Sequence, residues 1–172
     1  MTTRELILMS CVYLVALGAT VYFARATARR VMGALAGGAA IGWMALGAIA
    51  LCETLGWWRV PFAPTPYFLP LLYLVFAISF APVYLLTWRV ARRFGRRGLA
   101  VCIGAAAIIG PPRDYLIAAK FPEWMVFAPG VAPVLADAAT YVAIVALGHA
   151  VMRLVAGPAS EDQLARRLRE AV

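Results

Sequence analysis

Residues 110–137 read GPPRDYLIAAKFPEWMVFAPGVAPVLAD and lie between two strongly apolar runs. They carry five charged residues: Arg113, Asp114, Lys120, Glu123 and Asp137. Prolines 111, 112, 122, 129 and 133 punctuate the same stretch. Charges and helix breaks at membrane depth need compensation, so they mark a site more often than plain apolar sequence does. Whether this stretch is a loop, a broken helix or a site decides how many helices the chain makes.

Composition names the solvent. The chain has 172 residues, of which 64% are hydrophobic and 14% charged, with mean hydropathy +0.83. A soluble domain is about half apolar and about a quarter charged. A chain this short could not cover its apolar residues with a polar surface, so the bilayer is the solvent. The fold class that follows is all-α: a polytopic membrane helical bundle.

Working outward, the periodic apolar runs give five transmembrane helices: residues 6–24, 31–52, 69–88, 98–119 and 133–155. The fourth is expected to break near 110–112, because prolines remove backbone donors and bias the preceding residue away from helix. Pro82 predicts a kink in the third. The first run exceeds a signal-peptide h-region and follows a weak n-region, so it is read as an uncleaved helix. Residues 1–156 form the transmembrane domain. Residues 157–172 are polar, and Ser160 followed by Glu161 to Gln163, with Leu164 and Leu168, predicts a short capped amphipathic helix on the cytoplasmic face.

The net charge of +8 is clustered beside the apolar runs. With the N-terminus outside, Arg25, Arg29, Arg30, Arg89, Arg92, Arg93, Arg96, Arg97, Arg153, Arg166, Arg167 and Arg169 fall inside. Arg4, Arg59, Arg113 and Lys120 fall outside. The positive-inside rule therefore gives N-out, C-in. No basic face interleaved with stacking aromatics is present, so nucleic acid is not the expected partner. Membrane lipids are, with anionic headgroups on the cytoplasmic side. The expected location is the cell (cytoplasmic) membrane.

Gly33, Gly37, Gly38 and Gly42 make two GxxxG spacings in the second helix, a face that lets another helix approach closely. The simplest use is packing within the chain; a homo- or hetero-oligomer interface is the alternative. Val21-Tyr22, Arg25 and Ala28-Arg29-Arg30 are echoed by Val83-Tyr84, Arg89 and Ala91-Arg92-Arg93, which suggests two hairpins of one orientation.

The candidate site gathers at the outer end. Glu53, Asp114 and Asp137 are the candidate catalytic acids; paired carboxylates can serve as acid and base. Arg59, Arg113, Tyr115, Trp124 and Asp137 are the candidate ligand-binding residues. Trp57, Trp58, Phe121 and Phe127 are further aromatics for its walls. Asp137 lies within an apolar helix, where an ionised carboxylate is costly, and Arg113 or Arg59 is its expected partner. His149 is about 18 Å further along the same helix and is read as a packing histidine. Cys11, Cys52 and Cys102 show no metal or redox spacing. No metal site, cofactor or familiar catalytic motif is expected. The functional expectation is a membrane protein binding or modifying a lipid or isoprenoid-like amphiphile at an outer charged and aromatic pocket. The alternatives are a non-catalytic scaffold subunit and a small transporter acting as an oligomer.

Overall fold

The computed structural model describes residues 2–61 and 66–158. The expected amphipathic tail helix, from Ser160 onward, lies outside the described residues. Four helices carry the fold: α1 (Thr3–Ala24), α2 (Ala28–Thr54), α3 (Phe68–Lys120) and α4 (Val131–Ala156). All four are long and apolar enough to cross a membrane. Large apolar side chains such as Leu8, Val15, Phe23, Ile108 and Leu154 are exposed, while Trp88, Tyr84 and Leu85 fill the core and glycines of α2 make close helix contacts. So much exposed apolar surface suits lipid as the surrounding medium.

Local chemistry sets the helix ends. Thr2 caps α1: its hydroxyl accepts from the Glu5 amide at 3.3 Å, and its own amide donates to Glu5 Oε2 at 2.6 Å. This reciprocal capping box satisfies two orphan donors. α2 ends in a Schellman turn, with Trp57 N donating to the Cys52 carbonyl and Gly56 N to Glu53. Gly56 supplies the left-handed φ of +68° that this turn requires. The turn launches β1 (Trp58–Arg59), which pairs antiparallel with β2 (Val126–Phe127). This two-stranded ribbon ties the α2–α3 and α3–α4 connections together.

α3 departs most from the expected arrangement. A straight helix of 53 residues would be about 80 Å long. Leu72 and Ile117, separated by 45 positions, would then stand about 68 Å apart, yet both line one cavity. The chain doubles back at Gly95, whose φ of 62° and ψ of −146° are non-helical. That region of backbone space is essentially restricted to glycine. The result is two antiparallel arms, 68–94 and 96–120. The break expected at 110–112 is absent, because the backbone stays helical through Gly110, Pro111 and Pro112; the turn at Gly95 falls in the connection expected between helices 69–88 and 98–119. The arginines expected in a connection between helices instead lie within the arms, up to Phe94 and from Arg96 onward.

The glycines of α2 face two neighbours. A Cβ on Gly33 would meet Met152 and Ala156, and one on Gly37 would meet Gly148 and Tyr84, so this row seats α4. Gly38 lies against the Ala77 backbone and Gly42 against Tyr73, so that row seats the first arm of α3. Tyr84, fully buried, donates to the Ile144 carbonyl at 3.1 Å and joins the first arm to α4. α1 packs chiefly on α3.

One end of the bundle is basic. Arg30 donates to the Gly157 carbonyl at 2.6 Å and the Pro158 carbonyl at 3.0 Å, closing the C-terminus of α4. Arg89 does the same for α1 through Phe23 O at 2.6 Å. Arg30 and Arg92 both lie over the Trp88 ring. Thr87 donates to the Tyr84 carbonyl at 3.0 Å and shares a hydrogen bond with His149 Nδ1 at 3.1 Å. His149 is buried.

Candidate functional site

At the opposite end the helices part around a cavity of about 460 Å³. Leu6, Met9 and Tyr13 of α1, Ile49 of α2 and Val75 of the first α3 arm give it apolar walls. Trp58, Trp124 and Phe127 line the side nearest the ribbon, with Trp58 edge-on to Phe127 at 5.6 Å. The volume falls in the usual range for small-molecule sites, about 300–1,000 Å³, as does the ratio of many apolar groups to few polar ones.

The polar groups come from the second α3 arm and from α4. Asp137 and Tyr141 are four apart on α4 and share a face. Tyr141 leans on Gly110, where any Cβ would overlap its ring. The Gly-Pro-Pro sequence thus makes a seat for Tyr141, and it does so without leaving the helix. From that seat the phenol donates to Asp114 Oδ2 at 2.8 Å and accepts from Arg113 Nη2 at 2.5 Å. Arg113 also donates to Asp114 Oδ1 from Nε at 2.8 Å and from Nη2 at 2.6 Å. Its guanidinium lies 5.6 Å from the centre of the Tyr141 ring. The three side chains close into a mutually satisfied triad.

Asp137 stands beside this triad and outside it. It is 5% exposed, lines the cavity, and its Oδ2 has no hydrogen-bond partner among the described residues. The expected pairing with Arg113 or Arg59 is not made: Arg113 is taken by Asp114 and Tyr141, and Arg59 is exposed on β1. Of the other polar groups on the wall, Ser79 is satisfied by the Phe76 carbonyl and Thr140 by that of Ala136, while the Trp124 indole Nε1 is buried without a partner among the described residues. Asp137 is thus the carboxylate of this cavity left with an unpartnered oxygen.

The remaining candidates separate. Asp114, Arg113, Trp124 and Asp137 line the cavity; Glu53 is exposed and does not. Tyr115 faces away, stacked on Phe127 at 4.2 Å beside a shallow groove formed with Ala118, Pro122 and Pro129. Of the aromatics expected on the walls, Trp57 and Phe121 are also elsewhere, Phe121 stacking on Trp124 at 4.5 Å. Tyr141 was not among the expected site residues. Its signal was the four-residue spacing from Asp137 in an otherwise apolar helix. No group of ligands capable of holding a metal occurs among the described residues.

The chemistry available is hydrogen bonding and proton exchange by two carboxylates, one neutralised by its neighbours and one unpaired, at the head of an apolar chamber. The chain matches no protein-family model, no curated protein and no solved structure.

Proposed function

We propose that the chain crosses the cell membrane five times, N-terminus out and C-terminus in, and holds one lipid or isoprenoid-like amphiphile in the outer cavity. The observation that carries the ligand reading is Asp137: a carboxylate oxygen without a partner, at 5% exposure, on the wall of a 460 Å³ apolar chamber. An unsatisfied buried polar group costs about 1–3 kcal/mol, and a ligand headgroup would remove that cost. The tail would lie among Leu6, Val75 and Ile109, and the head against Asp137 and the triad.

Two further features support the reading. Each α3 arm is long enough to span, about 40 Å for 68–94 and about 37 Å for 96–120, against a hydrocarbon core of about 30 Å. The glycine rows that would suit a second subunit are already filled by α4 and by the first α3 arm, which favours the pocket over the scaffold alternative.

The test is native mass spectrometry of gently extracted protein with identification of what it carries. The expected result is a monomer retaining one defined small amphiphile, which is lost in Asp137→Asn and in Arg113→Ala although both variants keep their helical circular dichroism. A defined oligomer with only bulk lipid would overturn the reading and return attention to the scaffold alternative.

A further inference from the structure

Resting on that pocket reading, we infer that the head of the ligand is an uncharged hydroxyl: the chamber is built for an apolar-tailed alcohol and against the corresponding phosphate. The charges that act on Asp137 are those of Asp114 and Arg113. Arg113 is the one cation on the cavity wall among the described residues, and its charge is balanced by Asp114, which it holds through two nitrogens while also meeting the Tyr141 phenol. With Asp137 ionised the polar corner carries a net negative charge, and with Asp137 protonated it carries none. In neither state does it carry a net positive charge to draw an anion. A phosphate placed beside Asp137 would meet a like charge when Asp137 is ionised, and pulling Arg113 towards it would weaken the ion pair with Asp114, whose side chain is only 14% exposed.

A hydroxyl has no such conflict. It donates to the Asp137 Oδ2 carboxylate oxygen, or accepts from it when that oxygen carries a proton, so either state of Asp137 is satisfied by one group. An ammonium head would pair only with the ionised form. It would also lie close to the Arg113 guanidinium and carry the larger cost of moving a charge out of water. The apolar walls suit an unbranched or isoprenoid chain equally; the selectivity lies at the head.

The test compares three probes with one tail: farnesol, farnesylamine and farnesyl monophosphate. Each is titrated into the purified full chain in mild detergent, with Trp58 and Trp124 fluorescence as the readout because both indoles line the cavity. Farnesol is expected to bind at least about tenfold more tightly than the monophosphate, as one retained hydrogen bond and one avoided charge conflict require. Asp137→Leu is expected to remove that preference, and Glu53→Gln, on the exposed end of α2, is expected to keep it. Tightest binding of the monophosphate, or of the amine, overturns the hydroxyl assignment and leaves the pocket reading standing. Failure of all three to bind, with fluorescence unchanged, overturns the pocket reading and this inference with it.

Discussion

Asp137 has one carboxylate oxygen with no hydrogen-bond partner among the described residues, inside the bundle. Replacing such a group by an apolar side chain of similar volume is commonly neutral or stabilising, whereas leaving it unpaired costs about 1–3 kcal/mol. In delipidated protein Asp137→Leu is therefore expected to raise the thermal midpoint, read by circular dichroism in detergent. A lowered midpoint would mean that the carboxylate holds the fold together. The sequence marked Asp137 because a carboxylate in an apolar run is expensive, and it misassigned the partner for a geometric reason. Adjacent helical residues normally diverge, yet the neighbouring Arg113 and Asp114 neutralise each other locally, which takes Arg113 away from Asp137. They meet because Tyr141, seated on Gly110, bridges them. A second residue-scale expectation follows from the α2 glycines. A methyl on Gly38 runs into the Ala77 backbone, while one on Gly47 meets nothing. Gly38→Ala is expected to lose about 1–3 kcal/mol, as overpacking does, and Gly47→Ala to lose nothing measurable by the same unfolding assay. Equal effects would show that the close approach of α2 and α3 is not needed for stability.

Within the elements, apolar runs located the helices and the basic run 89–97 their joint at Gly95, while the prolines suggested a further break that is absent. Proline is the stronger breaker in water, yet Pro111 and Pro112 sit inside a continuous helix, and the chain turns at Gly95 between Phe94 and Arg96. The sequence around Gly95 looked like an ordinary basic connection, because arginine runs beside membrane helices usually are. Its single glycine carried the turn without any of the proline, asparagine or serine that accompanies most loops. The α1–α2 corner is comparable: Arg25 takes the left-handed conformation at φ 49° beside its own arginines. Both hairpins thus turn on one positive-φ residue at the basic end, but at different places in the sequence echo: Arg25 is four residues past Val21 and Gly95 twelve past Val83. Because Gly95 occupies a glycine-only region, Gly95→Ala is expected to cost about 1–3 kcal/mol. Pro111→Ala and Pro112→Ala, which restore helical donors without changing the path, are expected to cost less or to stabilise. Thermal unfolding of the three variants checks the order, and a larger loss at Pro111 than at Gly95 would move the functional joint back to the place the prolines suggested. The β-ribbon had no sequence signature at all, since two-residue strands are too short for any alternation to show.

Across the whole molecule, charge and polarity run to opposite ends. Arg25, Arg29, Arg30, Arg89, Arg92, Arg93, Arg96, Arg97 and Arg153 belong to the end where α1 finishes, α3 turns and α4 finishes. Arg4, Arg59, Arg113 and Lys120 belong to the cavity end. Such asymmetry orients membrane proteins with the basic end inside. How many times the chain crosses then hangs on α3, and parity makes the question experimental. If both arms span, the crossings number five and the termini lie on opposite sides. If the hairpin of α3 enters and leaves from one side without spanning, the crossings number three and the termini still lie on opposite sides; if α3 acts as one crossing, they number four and the termini share a side. Fusing alkaline phosphatase, active only outside, and green fluorescent protein, fluorescent only inside, to each terminus in turn reads the sides directly. The expected outcome is phosphatase activity at the N-terminus and fluorescence at the C-terminus. Both termini inside or both outside would require an even number of crossings and would reduce α3 to a single span. Opposite termini with the signs reversed would keep an odd number of crossings and put the cavity on the cytoplasmic side, where Asp137 and its chamber would draw on a different pool of amphiphiles.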